Sequence, residues 1–274
     1  VSEGNRVVVI TGLGGMGEAV AQRLGLGSIL VLADVNEPTL RNAADSLRSV
    51  GYAVIEHVTD VSNEGSVVSL AEAAAGLGRV EVVVHTAGVS PVQASVEAIM
   101  RVDLLGTALM LDAFAATIAP GGAGVFISSM AGTLGPQDPD LERRLGGVPT
   151  SALLDLPELS DDAITDPGTA YSLAKRANQI RVRSASRAWG LQHARVNSIS
   201  PGIIATPMGV AELDGPSGDY MRAMVAGSPS GRLGTPHDIA AAVEFLTGPH
   251  ATFITGTDLL VDGGVVASLL NPTA

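Results

Sequence analysis

The sequence predicts an α/β protein: one doubly wound domain, with a mostly parallel sheet of seven strands and helices on both faces. Three observations predict it. Continuous runs of Val, Ile and Leu alternate with Ala-rich helical patterns along the chain, the pattern of strands buried on both faces. A glycine-rich turn follows the first run directly. No repeat, low-complexity tract or compositional break divides the 274 residues, so 1–274 is expected to be a single domain.

The elements follow in order. "RVVVIT" (6–11) is the first strand, and the helical pattern 17–25 follows its glycine turn. "SILVLAD" (28–34) leads to helix 38–50, "AVIEHV" (53–58) to helix 64–77, and "VEVVVHTA" (80–87) to a long helix, 93–119. "AGVFISS" (123–129) is the fifth strand. After a gap come helix 170–190, strand "ARVNSIS" (194–200), helix 236–247 and strand "DLLVDGG" (258–264). The gap, 132–168, is far longer than the usual βα loop of about 2–6 residues. It holds eight acidic and two basic residues, half of the chain's net charge of −12. "LERRL" and "TSALLDL" within it read as short helices.

Composition excludes some functions. A net charge of −12 argues against nucleic acid and anionic membranes as partners, because phosphate binding needs a basic surface. Without cysteine there is no disulfide or thiolate metal site. His57, His193, His237 and His250 show no ligand spacing, and no metal is assigned. No apolar run reaches the length of a membrane span, and the start lacks a basic region before an apolar stretch. A cytoplasmic location is therefore the expectation.

Four groups of residues carry chemistry. Gly12, Gly14 and Gly17 read G-x-G-x-x-G between a strand and a helix, which suits a dinucleotide pyrophosphate at the helix N-terminus. Asp34 ends the second strand 22 residues past Gly12, where an acid binds ribose hydroxyls and repels a 2′-phosphate. The glycine loop has no Lys or Arg, so NAD is expected over NADP. Tyr171 and Lys175 stand at i and i+4 on one helix face. A nearby ammonium favours a phenolate, so Lys175 is expected to lower the tyrosine pKa for acid–base work. Ser128 and Ser129 end the fifth strand beside the crevice where such sheets bind ligands.

Together these groups resemble the short-chain dehydrogenase/reductases. The resemblance runs from Arg6 to Gly264, through "TDV" (59–61), "HTAG" (85–88), "SSMAG" (128–132), "YSLAK" (171–175), "RVNSISPGIIATPM" (195–208) and "VDGG" (261–264). "RAWG" and "GRLGTPHDIAAAVEFL" look most like bacterial hydroxysteroid dehydrogenase/carbonyl reductases. The resemblance implies catalysis by Ser129, Tyr171 and Lys175, with Lys175 also bonding the cofactor ribose. It implies a cofactor site of Gly12, Gly14, Met16, Gly17, Asp34, Asp60, Val61, Ala87, Gly88, Tyr171, Lys175, Pro201, Gly202, Ile204 and Thr206. Asp60 and Val61 would flank the adenine, Ala87 and Gly88 the ribose, and residues 201–206 the nicotinamide. It implies NAD-dependent interconversion of a secondary alcohol and a ketone on a neutral, hydrophobic, steroid-like or other carbonyl substrate. A homo-oligomer, tetramer or dimer, is also implied. Residues 203–232 would form a substrate loop, with Met208, Met221 and Met224 suited to an adaptable apolar pocket.

Three residues or stretches depart from the family pattern. "TGLGGMG" is one residue shorter than the common glycine loop. His85 replaces an asparagine and is expected to be a satisfied strand-end histidine. Asp103 stands where the family has an active-site asparagine, and it lacks the amide donors. Two alternatives stay open: a non-catalytic dinucleotide-binding sensor or scaffold, and an acyl-thioester ketoreductase. The segment 132–168 is expected to form a partly helical flap beside the active site, with Leu153, Leu154 and Leu156 inward and Asp161 and Asp162 in solvent.

Overall fold

Val7, Val8, Val9 and Ile10 are completely buried. Their strand, β1 (Arg6–Thr11), lies in the middle of a sheet whose side chains alternate between two covered faces. The computed structural model describes residues 4–135, 137–160 and 162–271. Its first half runs β1, α1 (Gly15–Leu24), β2 (Ile29–Asp34), α2 (Glu37–Ser49), β3 (Ala53–Val58), α3 (Glu64–Leu77) and β4 (Arg79–His85). Then come α4 (Val96–Ile99), a π-helical turn over Met100–Gly106, α5 (Thr107–Ala115) and β5 (Ile118–Ile127). The second half runs α6 (Met130–Leu134), α7 (Pro139–Gly147), short 3₁₀ turns at Thr150–Asp155 and Pro157–Leu159, and α8 (Pro167–Leu191). It ends with β6 (Arg195–Pro201), α9 (Pro207–Leu213), α10 (Gly218–Ala226), α11 (Pro236–Thr247), β7 (Asp258–Val261) and α12 (Val265–Leu270).

The sheet has seven strands in the order β3-β2-β1-β4-β5-β6-β7, and every pairing is parallel. The predicted α/β class holds, and the sheet is parallel throughout. Val8, Ile10 and Leu32 pack on one face against Val20 of α1, Leu40 of α2 and Ile239 of α11. Val7, Val9 and Phe126 pack on the other against Val67 of α3, Phe114 of α5 and Trp189 of α8. Strand order reverses between β1 and β4, which opens a crevice at the carboxyl ends there.

Two elements differ from expectation. β5 begins at Ile118 rather than 123, because its register against β4 shifts between Val80 and Val82 and the strand takes in Pro120–Gly122. The predicted continuous helix 93–119 is interrupted by the π turn. Within that turn Thr107 Oγ1 donates to the Asp103 carbonyl (2.7 Å), and the Asp103 carboxylate reaches out of the helix to accept from Val89 N (2.9 Å).

The segment 132–168 packs down rather than standing free. Leu145, Leu153, Leu159 and Ile164 are buried with Ile99, Leu104, Ala170 and Ala174, and Leu154 and Leu156 join from the side. Arg181 of α8 clasps it, donating to the carbonyls of Leu145 (3.0 Å) and Val148 (3.2 Å) and to Thr150 Oγ1 (2.8 Å). Thr150 in turn donates to Asp112 of α5 (2.5 Å). Asp162 is exposed, and Asp161 lies outside the described residues.

Candidate active site

The glycine turn forms because two side chains are missing. Gly12 has φ +81°, and a Cβ there would fall 2.4 Å from Ala87 N; one on Gly17 would fall 1.9 Å from the Gly12 carbonyl. Thr86 Oγ1 donates to that carbonyl at 2.6 Å and fixes the turn against the end of β4. Gly14 caps α1 with no side-chain hydrogen bond, which leaves first-turn N–H groups open to an anion. The crevice wall holds Gly12, Gly14, Met16, Asp34, Asp60, Val61, Ala87, Gly88 and Thr206. Asp34 spans the crevice edge: one oxygen accepts from Leu13 N (2.8 Å) and the other from Asn36 N (2.9 Å). Its remaining lone pairs stay available to hydroxyls. No Lys or Arg lines this crevice among the described residues. The open helix end, the close glycine turn and the placed acid fit a dinucleotide.

A second pocket, of about 440 Å³, joins the crevice at Met16, Thr206 and Met208, which line both. Its wall carries Ser129, Tyr171, Pro201, Gly202 and Ile204. Ser129 caps α6, its Oγ accepting from Ala131 N at 3.1 Å. Tyr171 lies in the first turns of α8. The two converge because α6 lies on α8 so closely that a Cβ on Gly132 would meet Arg176 N at 2.7 Å. Lys175 does not line either cavity. It is 5 % exposed, with Nζ 5.4 Å from the Tyr171 ring centroid. Ser128 Oγ donates to the Lys175 carbonyl at 2.7 Å and ties the helix to β5. Of the segment 132–168, Leu134, Gly135 and Gly168 line the pocket, and no described residue of 137–166 does.

Lys175 Nζ lies 3.6 Å from Asp103 Oδ1, and Asp103 is fully buried. The pair fits only because Gly88 has no side chain: a Cβ there would meet the carboxylate oxygen at 2.7 Å and the ammonium at 3.2 Å. This pairing corrects one expectation. The Tyr171 phenol is held above its ordinary pKa, first by burial and next by the Asp103 carboxylate, with Glu212 adding and the Ser129 hydrogen bond opposing. The lowering expected from Lys175 is thus outweighed in the chain alone, first by burial and next by Asp103. Asp103 itself is held above the usual carboxylate range by burial, against the pull of Lys175 and the Val89 N–H. His85 is only half satisfied. Its Nδ1 pairs with Thr11 Oγ1 at 2.7 Å, and its Nε2 is buried without a partner among the described residues. Burial and the Lys175 charge push the imidazole pKa down to about 3.

Sequence motifs missed several wall residues. Val35, Thr59, Thr86 and Val102 line the crevice, and Val92, Glu212, Tyr220 and Leu134 line the pocket. Thr86 was legible as the threonine of "HTAG". These pocket residues lie on α6, α9, α10 and the loop after β4, with no fixed spacing to betray them.

With this site in view, comparison with known proteins defines the class. A family model described as "short chain dehydrogenase" matches residues 6–138, and one described as "Enoyl-(Acyl carrier protein) reductase" matches residues 154–266. "Short-chain dehydrogenase/reductase bsc3" of Alternaria brassicicola is 38 % identical over 97 % of this chain and 98 % of its own length. "Cis-4-hydroxycyclohexanecarboxylate dehydrogenase" of Sinomonas cyclohexanicum is 30 % identical over 96 % of this chain and 97 % of its own. A 7α-hydroxysteroid dehydrogenase, solved with NADH and 7-oxo glycochenodeoxycholic acid, superposes with TM-score 0.75 over 96 % of this chain and 94 % of its own. At 23 % identity that structure shows the fold alone. The chain belongs to the short-chain dehydrogenase/reductase family, whose members are oxidoreductases of alcohol and ketone substrates. The hydroxysteroid subgroup is finer than these matches define. No described helix is long and apolar enough to cross a membrane.

Proposed function

We propose that this protein interconverts a secondary alcohol and a ketone with NAD(H), on a neutral, largely hydrophobic substrate. The observation that carries the reading is one shared pocket wall. Ser129 and Tyr171 line a pocket that is continuous with the dinucleotide crevice, and the Lys175 ammonium lies 5.4 Å from the Tyr171 ring centroid. Bound NAD supplies the hydride acceptor or donor. The Ser129 hydroxyl donates a hydrogen bond to the substrate oxygen and orients it. Tyr171 takes the proton of an alcohol or returns one to a ketone. Lys175 and Asp103 set how readily it does so. Gly12, Gly14, Met16 and Gly17 hold the pyrophosphate side, Asp60 and Val61 the adenine side, Ala87 and Gly88 the ribose, and Pro201, Gly202, Ile204 and Thr206 the nicotinamide side. NAD is preferred because Asp34 stands at the ribose end of a crevice without a lining cation.

The test is kinetic. Tyr171→Phe keeps NADH binding, read by fluorescence, and loses about 10²–10⁴-fold in turnover. A variant with half the wild-type rate overturns the assignment. NAD is expected to exceed NADP in kcat/KM by at least about tenfold, and Asp34→Ala to narrow that gap. NADH binding without turnover across steroid, terpene and aryl alcohols would instead favour a dinucleotide sensor.

A further inference from the structure

The substrate pocket carries serines, a threonine and two tyrosines among its apolar side chains, but only one charge. Met208, Met221, Met224, Tyr220, Val92 and Leu134 form much of its wall, and Glu212 is the single charged side chain among the described residues lining it. Glu212 stands on α9. No described Lys, Arg or His lies within ion-pair distance of it. Its Oε1 accepts from Ser90 Oγ at 2.7 Å, and Ser90 is fully buried. Ser90 is fixed in turn, since its Oγ accepts from Val92 N and its carbonyl from the Gln93 and Ala94 N–H groups. The carboxylate is therefore aimed, not trailing in solvent.

A carboxylate offers about four lone-pair positions, and Ser90 takes one. Oε2 keeps its acceptor capacity, in a pocket whose wall also carries Met208, Met221, Met224 and Val92. Low-dielectric walls strengthen the field of an uncompensated charge, attracting cations and repelling anions. That field already reaches the reacting end, because Glu212 is one of the charges that disfavour the Tyr171 phenolate.

We propose that Glu212 selects the substrate by charge at the end remote from the reacting carbon. It receives a hydrogen-bond donor there, best a protonated amine, and excludes a carboxylate. The inference rests on the alcohol–ketone reading above and revises its neutral substrate to amino- or hydroxy-ketones and the corresponding alcohols.

The experiment uses the whole protein, NADH and three ketones of one shape: 4-methylcyclohexanone, 4-(dimethylamino)cyclohexanone and 4-oxocyclohexanecarboxylate. The cation is expected to exceed the anion in kcat/KM by at least about tenfold, mainly through KM, with the neutral ketone between. The ratio should shrink as salt rises. Glu212→Gln keeps the volume and the acceptor for Ser90, and should bring the ratio to within about twofold; Glu212→Lys should invert it. Ser90→Ala cuts the tether and keeps the charge, so the ranking should survive. A flat or reversed ranking in the wild type overturns the inference whether or not the variants fold. A collapse in Ser90→Ala equal to that in Glu212→Gln assigns Glu212 to a latch between α9 and the loop after β4, and also overturns it. Turnover of none of the three overturns the alcohol–ketone reading and this inference with it.

Discussion

The Asp103 carboxylate acts on Tyr171 with a measurable sign. The carboxylate raises the phenol pKa, so removing it should lower that pKa. Alcohol oxidation needs the phenolate, and its rate climbs as pH passes the phenol's working pKa. Asp103→Asn is therefore expected to move the rising limb of the oxidation profile to lower pH, and an unmoved limb would refute the coupling. His85 carries a second pH dependence. Unfolded, the imidazole binds a proton near pH 6.5; folded, only near 3. Between those values the unfolded chain holds more protons, so stability falls on acidification by about 1.4 kcal/mol per pH unit from this group. Below pH 3 both states are protonated and the slope vanishes. His85→Asn should flatten the decline between pH 6.5 and 4 in denaturant titrations, and parallel curves for the two proteins would contradict the assignment. Neither effect was legible in sequence. Asp103 was visible as a departure, but its ion pair depends on Gly88 and on a π turn that no local pattern announces.

The five inner strands could be read from sequence because a parallel strand buried on both faces must be largely apolar; the edge strands β3 and β7, partly exposed, still carry short apolar runs. The helix broken at Met100–Gly106 could not, because its extra residue answers to Val89 and Lys175, far away in the chain. The segment 132–168 shows both outcomes. Its short helical pieces were readable, and the inward set of Leu153, Leu154 and Leu156 is found packed. Its seat was not readable, because Leu145, Leu153, Leu159 and Ile164 follow neither helical nor strand period. Burial predicts that this element stabilises the Tyr171 helix. Leu153 is fully buried, and Leu153→Ala should cost about 2–5 kcal/mol, read as a shifted urea midpoint. A change under about 0.5 kcal/mol would mark the segment as a passive insertion.

At the scale of the molecule, the cofactor crevice was legible because glycines, an acid and a strand–helix boundary sit at fixed spacing on one chain segment. The pocket was only partly so, because its wall is gathered from several loops and from α6, α8, α9 and α10. Self-assembly belongs to this scale. The resemblance implies a homo-oligomer, tetramer or dimer. A light-scattering mass of two or four times 27.7 kDa is expected; a monomer would refute it. The Arg181 clasp has one more consequence, in polymer terms. Ser129 and Tyr171 stand 42 positions apart, where the family resemblance implies about a dozen. Closing the longer loop costs only about 1 kcal/mol more, since the entropy grows with the logarithm of length. Three donated hydrogen bonds and a buried leucine cluster exceed that sum. The interval between the serine and the tyrosine is thus free to lengthen by steps, each tolerated while the clasp forms, and the chemistry at its two ends need not register the change.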